Sequence, residues 1–220
     1  MRITVTDYLD VISSWCFWSE PTWAELKKRY DGKVEFQWKV ALMDKTGMPV
    51  SRKQEEWFYR RSGMLMRSPF MLRTEWYDEP IRAEYLPPNC VAEAAKDFGV
   101  TDDRVRLAIS RASLREGKCI GEWEIVAEIG ATAGKIDNRK LLDRAKSPEI
   151  EKRIRASTAE FHALQVTQRP TFVIDTDIGD RAVFSGIVRL EPLVATIDSM
   201  LDDATAYAAH KAHFGDPPAA

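Results

Sequence analysis

The sequence predicts an α/β protein in which an N-terminal β-α-β unit and a C-terminal β-β-α unit are separated by a large all-helical insertion. Three observations carry that reading. Residues 2–12 and 33–43 are strand-like, rich in β-branched and aromatic side chains, and enclose one helical stretch. The long middle of the chain instead runs in helical periodicity broken by Gly and Pro. Strand chemistry returns at 170–187, ahead of a last amphipathic segment.

Each element follows from local signals. Ile3, Val5, Tyr8, Val11 and Ile12 mark the first strand. Ser13 or Ser14 can cap the next helix, because a serine oxygen accepts a free first-turn amide. That helix should run to Tyr30, with Pro21 a point of kinking or interruption and Asp31-Gly32 a stop. The alternating run 33–43 is a second strand, and a strand–helix–strand unit this short takes a right-handed crossover.

Helices are expected at 52–66, 89–98, 102–116, 122–133, 138–146 and 148–163, with breaks at Gly47, Pro49, Pro69, Pro80, Pro87-Pro88, Gly99 and Gly117. Thr101-Asp102-Asp103 and Ser147-Pro148-Glu149 are good helix starts. Pro170–Asp175 and Ala182–Ile187, separated by a turn, make a hairpin. A final helix covers 190–211, and the tail from Gly215 is expected to fray. The domain division that follows is 1–44 with 165–220 as one discontinuous domain and 45–164 as the helical insertion.

Composition excludes several functions. The chain has 220 residues, 45% hydrophobic, with a formal net charge of −2, so it can form a core and has no basic surplus for nucleic acid. No apolar run reaches the roughly 20 residues a membrane span needs. The N-terminus lacks the apolar core of a signal peptide, which predicts a cytoplasmic protein. Cys16, Cys90 and Cys119 are widely spaced and do not suggest a disulfide framework; with His162, His210 and His213 scattered, no zinc spacing occurs, and no metal is expected.

The chemistry concentrates in Asp10-Val11-Ile12-Ser13-Ser14-Trp15-Cys16-Phe17, where strand hands over to helix. A thiol in the first helical turn sees the positive end of the helix dipole, which lowers its pKa. Ser13 stands where a thiol-disulfide enzyme would carry a second cysteine. With this segment, Arg169-Pro170-Thr171-Phe172, Gly121–Glu124 through Gly134–Asp137, and Phe184-Ser185-Gly186, the chain resembles the DsbA-like thioredoxin-fold family, in its FrnE-like and 2-hydroxychromene-2-carboxylate isomerase branch.

That resemblance implies a thioredoxin fold, a cis Arg169–Pro170 bond, and a groove in which Ser13 and Cys16 are catalytic. It places Ser14, Trp15, Phe17, Asn89, Arg169, Pro170 and Arg189 as substrate- or thiol-binding residues. It implies glutathione or a similar small thiol as cofactor, a small-molecule or peptide substrate, no membrane partner, and a possible homodimer. The chain departs from the family at Ser13 for cysteine, at Ser14 for proline, and at Ile187-Val188-Arg189, where glutathione-using relatives tend to carry an acidic residue.

Three activities follow. The first is monothiol oxidoreduction, with Cys16 attacking and an external thiol resolving the adduct. The second is a glutathione-dependent isomerase or transferase for an unsaturated or aromatic carboxylate, with Ser13 stabilising the thiolate. The third is a redox-inactive binding module along the Pro170 groove. Plainer roles compete with these: Ser13 and Asn89 as helix caps, Cys16, Cys90 and Cys119 as core residues, and Trp23 at the interface between the two domains.

Overall fold

A computed structural model describes residues 2–76 and 82–216. Pro80 and the last four residues of the tail therefore lie outside the described residues. The elements, in chain order, are β1 (Ile3–Leu9), α1 (Ser14–Arg29), β2 (Glu35–Val40), α2 (Arg52–Leu65), α3 (Leu86–Ala94), α4 (Arg104–Leu114), α5 (Trp123–Gly134), α6 (Asn138–Ala145), α7 (Pro148–Ala163), β3 (Thr171–Thr176), β4 (Arg181–Ser185) and α8 (Leu190–Phe214).

The described strands form one sheet in the order β2-β1-β3-β4. β1 and β2 are parallel, Val5 opposite Phe36 and Asp7 opposite Trp38. β3 runs antiparallel to β1, and β4 antiparallel to β3. This is the thioredoxin arrangement, with α2 to α7 inserted between β2 and β3.

The period-2 alternation of β1 decides which residue faces which layer. Ile3 and Val5 join Trp23, Leu26, Phe172, Ile174, Leu193 and Ile197 in a core shared with α1 and α8. Tyr8 and Val173 face the other way, onto Phe161 of α7. Leu9, Val11, Ile12 and Cys16 join a third and larger core built with the inserted helices, among them Val91, Ile109 and Val126. The turn that presents Ser13 thus sits where sheet and helical segment share one apolar interior.

Several boundaries differ from the sequence reading. β1 ends at Leu9 because Asp10 starts a turn, with the Ser13 amide donating to the Asp10 carbonyl at 3.0 Å. α1 continues through Pro21 without interruption. α3 begins at Leu86 rather than 89, because Pro87 and Pro88 occupy the first turn, where a missing N–H costs nothing. Its last turn tightens into a 3₁₀ turn, Ala95–Phe98, ending at Gly99 with φ +80°. α5 packs close to α3 because position 130 is glycine: a Cβ there would meet Val91 Cγ1 at 2.6 Å.

A buried ionic network fastens α4 to α1. Arg106, 2% exposed, donates to Asp103 Oδ1 at 3.0 and 2.8 Å and reaches both oxygens of Glu20. Asp103 also accepts from Lys27 and from the Trp23 indole, at 3.2 Å. Trp23 packs edge-on to Phe36 and against Phe172, so it joins the sheet to the start of α4.

Candidate functional site

The turn from β1 to α1 is built by buried hydrogen bonds. Asp10, 1% exposed, accepts from the Ile12 amide (3.1 Å) and from Asn89 Nδ2 (3.0 Å) through Oδ1, and from the Met43 amide (2.8 Å) through Oδ2. Asn89 Oδ1 accepts from the Val11 amide at 3.1 Å, and its second amide proton goes to the Tyr85 carbonyl at 3.1 Å. Ser110 Oγ donates to the Val11 carbonyl at 2.6 Å. Residues from the loop after β2, α3 and α4 therefore fix one four-residue turn.

Out of that turn Ser13 caps α1, its Oγ accepting from the Cys16 amide at 3.3 Å. First-turn amides of a helix have no intrahelical acceptor. Among the described residues none meets the amide of Ser14 or Trp15. Ser13, Ser14 and Trp15 line a cleft of about 480 Å³ whose other walls are the loop after β2, α2, and the segment before β3.

Arg169 forms the far wall. Its peptide bond to Pro170 is cis. The guanidinium donates from Nε to the Ala41 carbonyl and from Nη2 to the Leu42 carbonyl, both at 2.5 Å, and lies 4.4 Å over the Phe161 ring. Among the described residues no carboxylate is within ion-pair distance of it, and burial pulls its pKa down, opposed by the charges of Asp10, Cys16 and Asp44. A second cation, Arg61 of α2, sits within 5.1 to 5.6 Å of the Trp15, Trp57 and Phe58 rings and lines the same cleft. Two guanidinium groups beside flat aromatic walls suit an anion that carries an apolar or unsaturated part.

Cys16 turns away from this cleft. It is 4% exposed and belongs to the core. Burial, followed by the charge of Asp7, raises its thiol well above the ordinary range, and hydrogen bonds from Ser13 and the Asp10 backbone only partly oppose this. Asp7 is itself 1% exposed, and its carboxyl is pushed up to about 8, first by burial. Its Oδ1 and the indole nitrogen of Trp38, its neighbour on β2, are the two buried side-chain atoms without a hydrogen-bond partner among the described residues.

Other expected site residues fall elsewhere. Phe17 packs edge-on against Trp18 at the helical core instead of facing the cleft, because it lies on the next face of α1. Asn89 is fully buried with all its amide protons donated, so it positions the turn and is neither a helix cap nor a ligand contact. Pro170 is buried behind Arg169, its carbonyl accepting from the Gly186 amide at 2.8 Å. Arg189 is exposed at the start of α8 and lines a neighbouring groove of about 710 Å³ with Leu65, Arg67 and Ile187; Trp15 lines both this groove and the Ser13 cleft. Cys90 is buried as expected, whereas Cys119 is exposed rather than part of the core.

Sequence reasoning missed Glu55, Arg61, His162 and Asp44, all of which line the cleft. Arg61 follows Trp57 and Phe58 at helical spacing, a signal that could have marked it. Among the described residues no group of three His, Cys, Asp or Glu side chains is placed to hold a metal ion, and no helix is long and apolar enough to cross a membrane.

A family model for the DsbA-like thioredoxin domain matches residues 4–198. The chain belongs to that family. Among solved structures this DsbA-like chain is similar to a Nitrosomonas europaea protein described as a disulfide isomerase, at 16% identity and a TM-score of 0.76, covering 92% of this chain and 99% of the other. It is also similar to the cytosolic disulfide reductase DsbM of Pseudomonas aeruginosa, at 19% identity and 0.72, covering 90% and 98%. A structure of that reductase with GSH aligns at 18% identity and 0.68, covering 90% and 99%. At these identities the likeness is one of fold. No curated protein matches the sequence.

Proposed function

We propose that this DsbA-family protein works with a small external thiol, glutathione or a close analogue, and catalyses isomerisation of, or thiol transfer to, an unsaturated or aromatic carboxylate. The observation that carries the reading is that Ser13, 3% exposed, lines the cleft, whereas Cys16, 4% exposed, does not line it and belongs to the core beneath. A thiolate is the reactive form of a thiol, and a buried thiol with a raised pKa supplies very little of it at neutral pH. The reactive sulfur then has to come from outside.

The cleft offers such a sulfur three stabilising groups. The Ser13 hydroxyl can donate to it, the Ser14 and Trp15 amides stand at the N-terminus of α1, and the helix dipole favours negative charge there. Arg61 and Arg169 supply the charge for a carboxylate. The GSH bound to the DsbM structure supports a small thiol as the ligand class. Monothiol exchange led by Cys16 is disfavoured because Cys16 does not line the cleft and burial raises its thiol pKa. The reading allies the chain with the isomerase branch and suits a reducing cytoplasm, where such thiols stay reduced.

The test is the ultraviolet thiolate absorbance of glutathione on mixing with the protein at neutral pH. The expected result is a gain in thiolate signal that Ser13→Ala reduces. Saturable glutathione binding with no gain in thiolate would leave a binding module without thiol activation and defeat the proposal.

A further inference from the structure

Glu55 has no role in the scheme above, yet it lines the same cleft as Ser13 and Arg169. It stands in the first turn of α2, 7% exposed. Buried carboxylates are ordinarily paired with cations, but among the described residues none forms an ion pair with this one. Its hydrogen-bond partner is Tyr59. The Tyr59 hydroxyl oxygen accepts from Trp76 Nε1 at 3.2 Å, and Trp76 lines the same cleft as Glu55.

We propose that Glu55 is the acid–base residue of the cleft, taking the proton of the thiol held at Ser13 and returning it to the substrate; this rests on the small-thiol reading. A thiol enters as R–SH. Its S–H bond breaks, the proton passes to a Glu55 oxygen, and sulfur keeps the electron pair. The thiolate adds to an electron-poor carbon of the unsaturated carboxylate, forming a C–S bond. The displaced π pair moves to the conjugated position, which takes the proton from Glu55. After rotation about the new single bond, Glu55 removes that proton, the C–S bond breaks, and thiolate leaves. Atoms and electrons balance with no oxidant or reductant.

Burial pushes the Glu55 carboxyl up to about 7, with Tyr59 partly opposing. An ordinary thiol titrates near 8.5, so the two groups are close enough to exchange a proton, and the α1 N-terminus narrows the gap. The other charged groups facing the cleft are Asp44, Arg61, Arg169 and His162. Asp44 is held low by hydrogen bonds from Thr46 and stays ionised. His162 is the competing proton carrier on the cleft wall.

The test needs no ligand. Ser13→Cys in a Cys16→Ala background sets a thiol where the bound sulfur would lie and removes its disulfide partner. Its iodoacetamide alkylation rate is followed against pH with Glu55 intact, with Glu55→Gln, and with His162→Gln. Glu55→Gln is expected to shift the profile to lower pH and raise the rate in the rising limb about threefold, because a carboxylate opposes a nearby thiolate. His162→Gln is expected to leave that difference in place. An unchanged profile in Glu55→Gln, with thermal melts showing both proteins folded, would overturn the proposal. Coupling in a protein that binds no glutathione would support Glu55 and remove glutathione as the thiol.

Discussion

Asn89 Nδ2 donates to Asp10 Oδ1 at 3.0 Å across 79 residues of sequence, and so ties the helical segment to the turn that presents Ser13. Replacing Asn89 by Ala leaves the Val11 amide without its acceptor and Asp10 without one donor, both buried. The expected loss of stability is about 2–4 kcal/mol, from two buried groups left unpaired. Urea unfolding measures it. Because the turn also sets Ser13, glutathione affinity should fall with it, although Asn89 touches no ligand.

Asp7 should make stability pH-dependent in a known direction. Its folded pKa, about 8, lies above the ordinary carboxylate value of 3.8. The folded state therefore holds the proton more tightly, and Asp7's contribution is full below about pH 4 and lost as pH rises through 8. Asp7→Asn removes that dependence. The variant should match the parent near pH 4 and become more stable than it by a few kcal/mol at pH 8.5. Denaturant melts at several pH values check the trend, and a constant difference would contradict it.

Arg169 is held by three carbonyls, those of Ala41, Leu42 and Thr167, and by a ring, a geometry a planar guanidinium makes and an ammonium does not. Arg169→Lys keeps the charge but loses the fork. Affinity for an aromatic carboxylate probe such as cinnamate should drop about tenfold or more, equivalent to ~1.4 kcal/mol. Calorimetry on both proteins reads it, with Arg189→Lys expected to have little effect, since Arg189 lines the neighbouring groove.

The three thiols should react in sharply different ways. Cys119 is exposed, and Cys16 and Cys90 are buried. Iodoacetamide on the native protein should label Cys119 alone within minutes, and peptide mass mapping identifies the site. Prompt labelling of Cys16 would place it in a reactive environment the core does not provide.

Much of this was legible beforehand. The alternation in β1, the capping serine and the proline after Arg169 foretold the fold. Local signals, however, do not say which face of α1 looks outward. Cys16 and Ser13 lie one turn apart and both are buried, and only packing against the helical segment turns the first into the core and sets the second at the cleft wall. Asn89 read as a cap because Pro87 and Pro88 looked like a break instead of a first helical turn. Glu55 gave no motif, and the helical spacing of Arg61 after Trp57 and Phe58 does not say that α2 shares a cleft with Ser13.

The central claim is that the working sulfur is external and that Ser13, not Cys16, receives it. Calorimetric titration of glutathione into the parent, Ser13→Ala and Cys16→Ala proteins tests this directly. The account expects Cys16→Ala to stay within about threefold of the parent and Ser13→Ala to lose about tenfold, the worth of a hydrogen bond to a charged sulfur. Affinity that survives Ser13→Ala and collapses in a folded Cys16→Ala would contradict it.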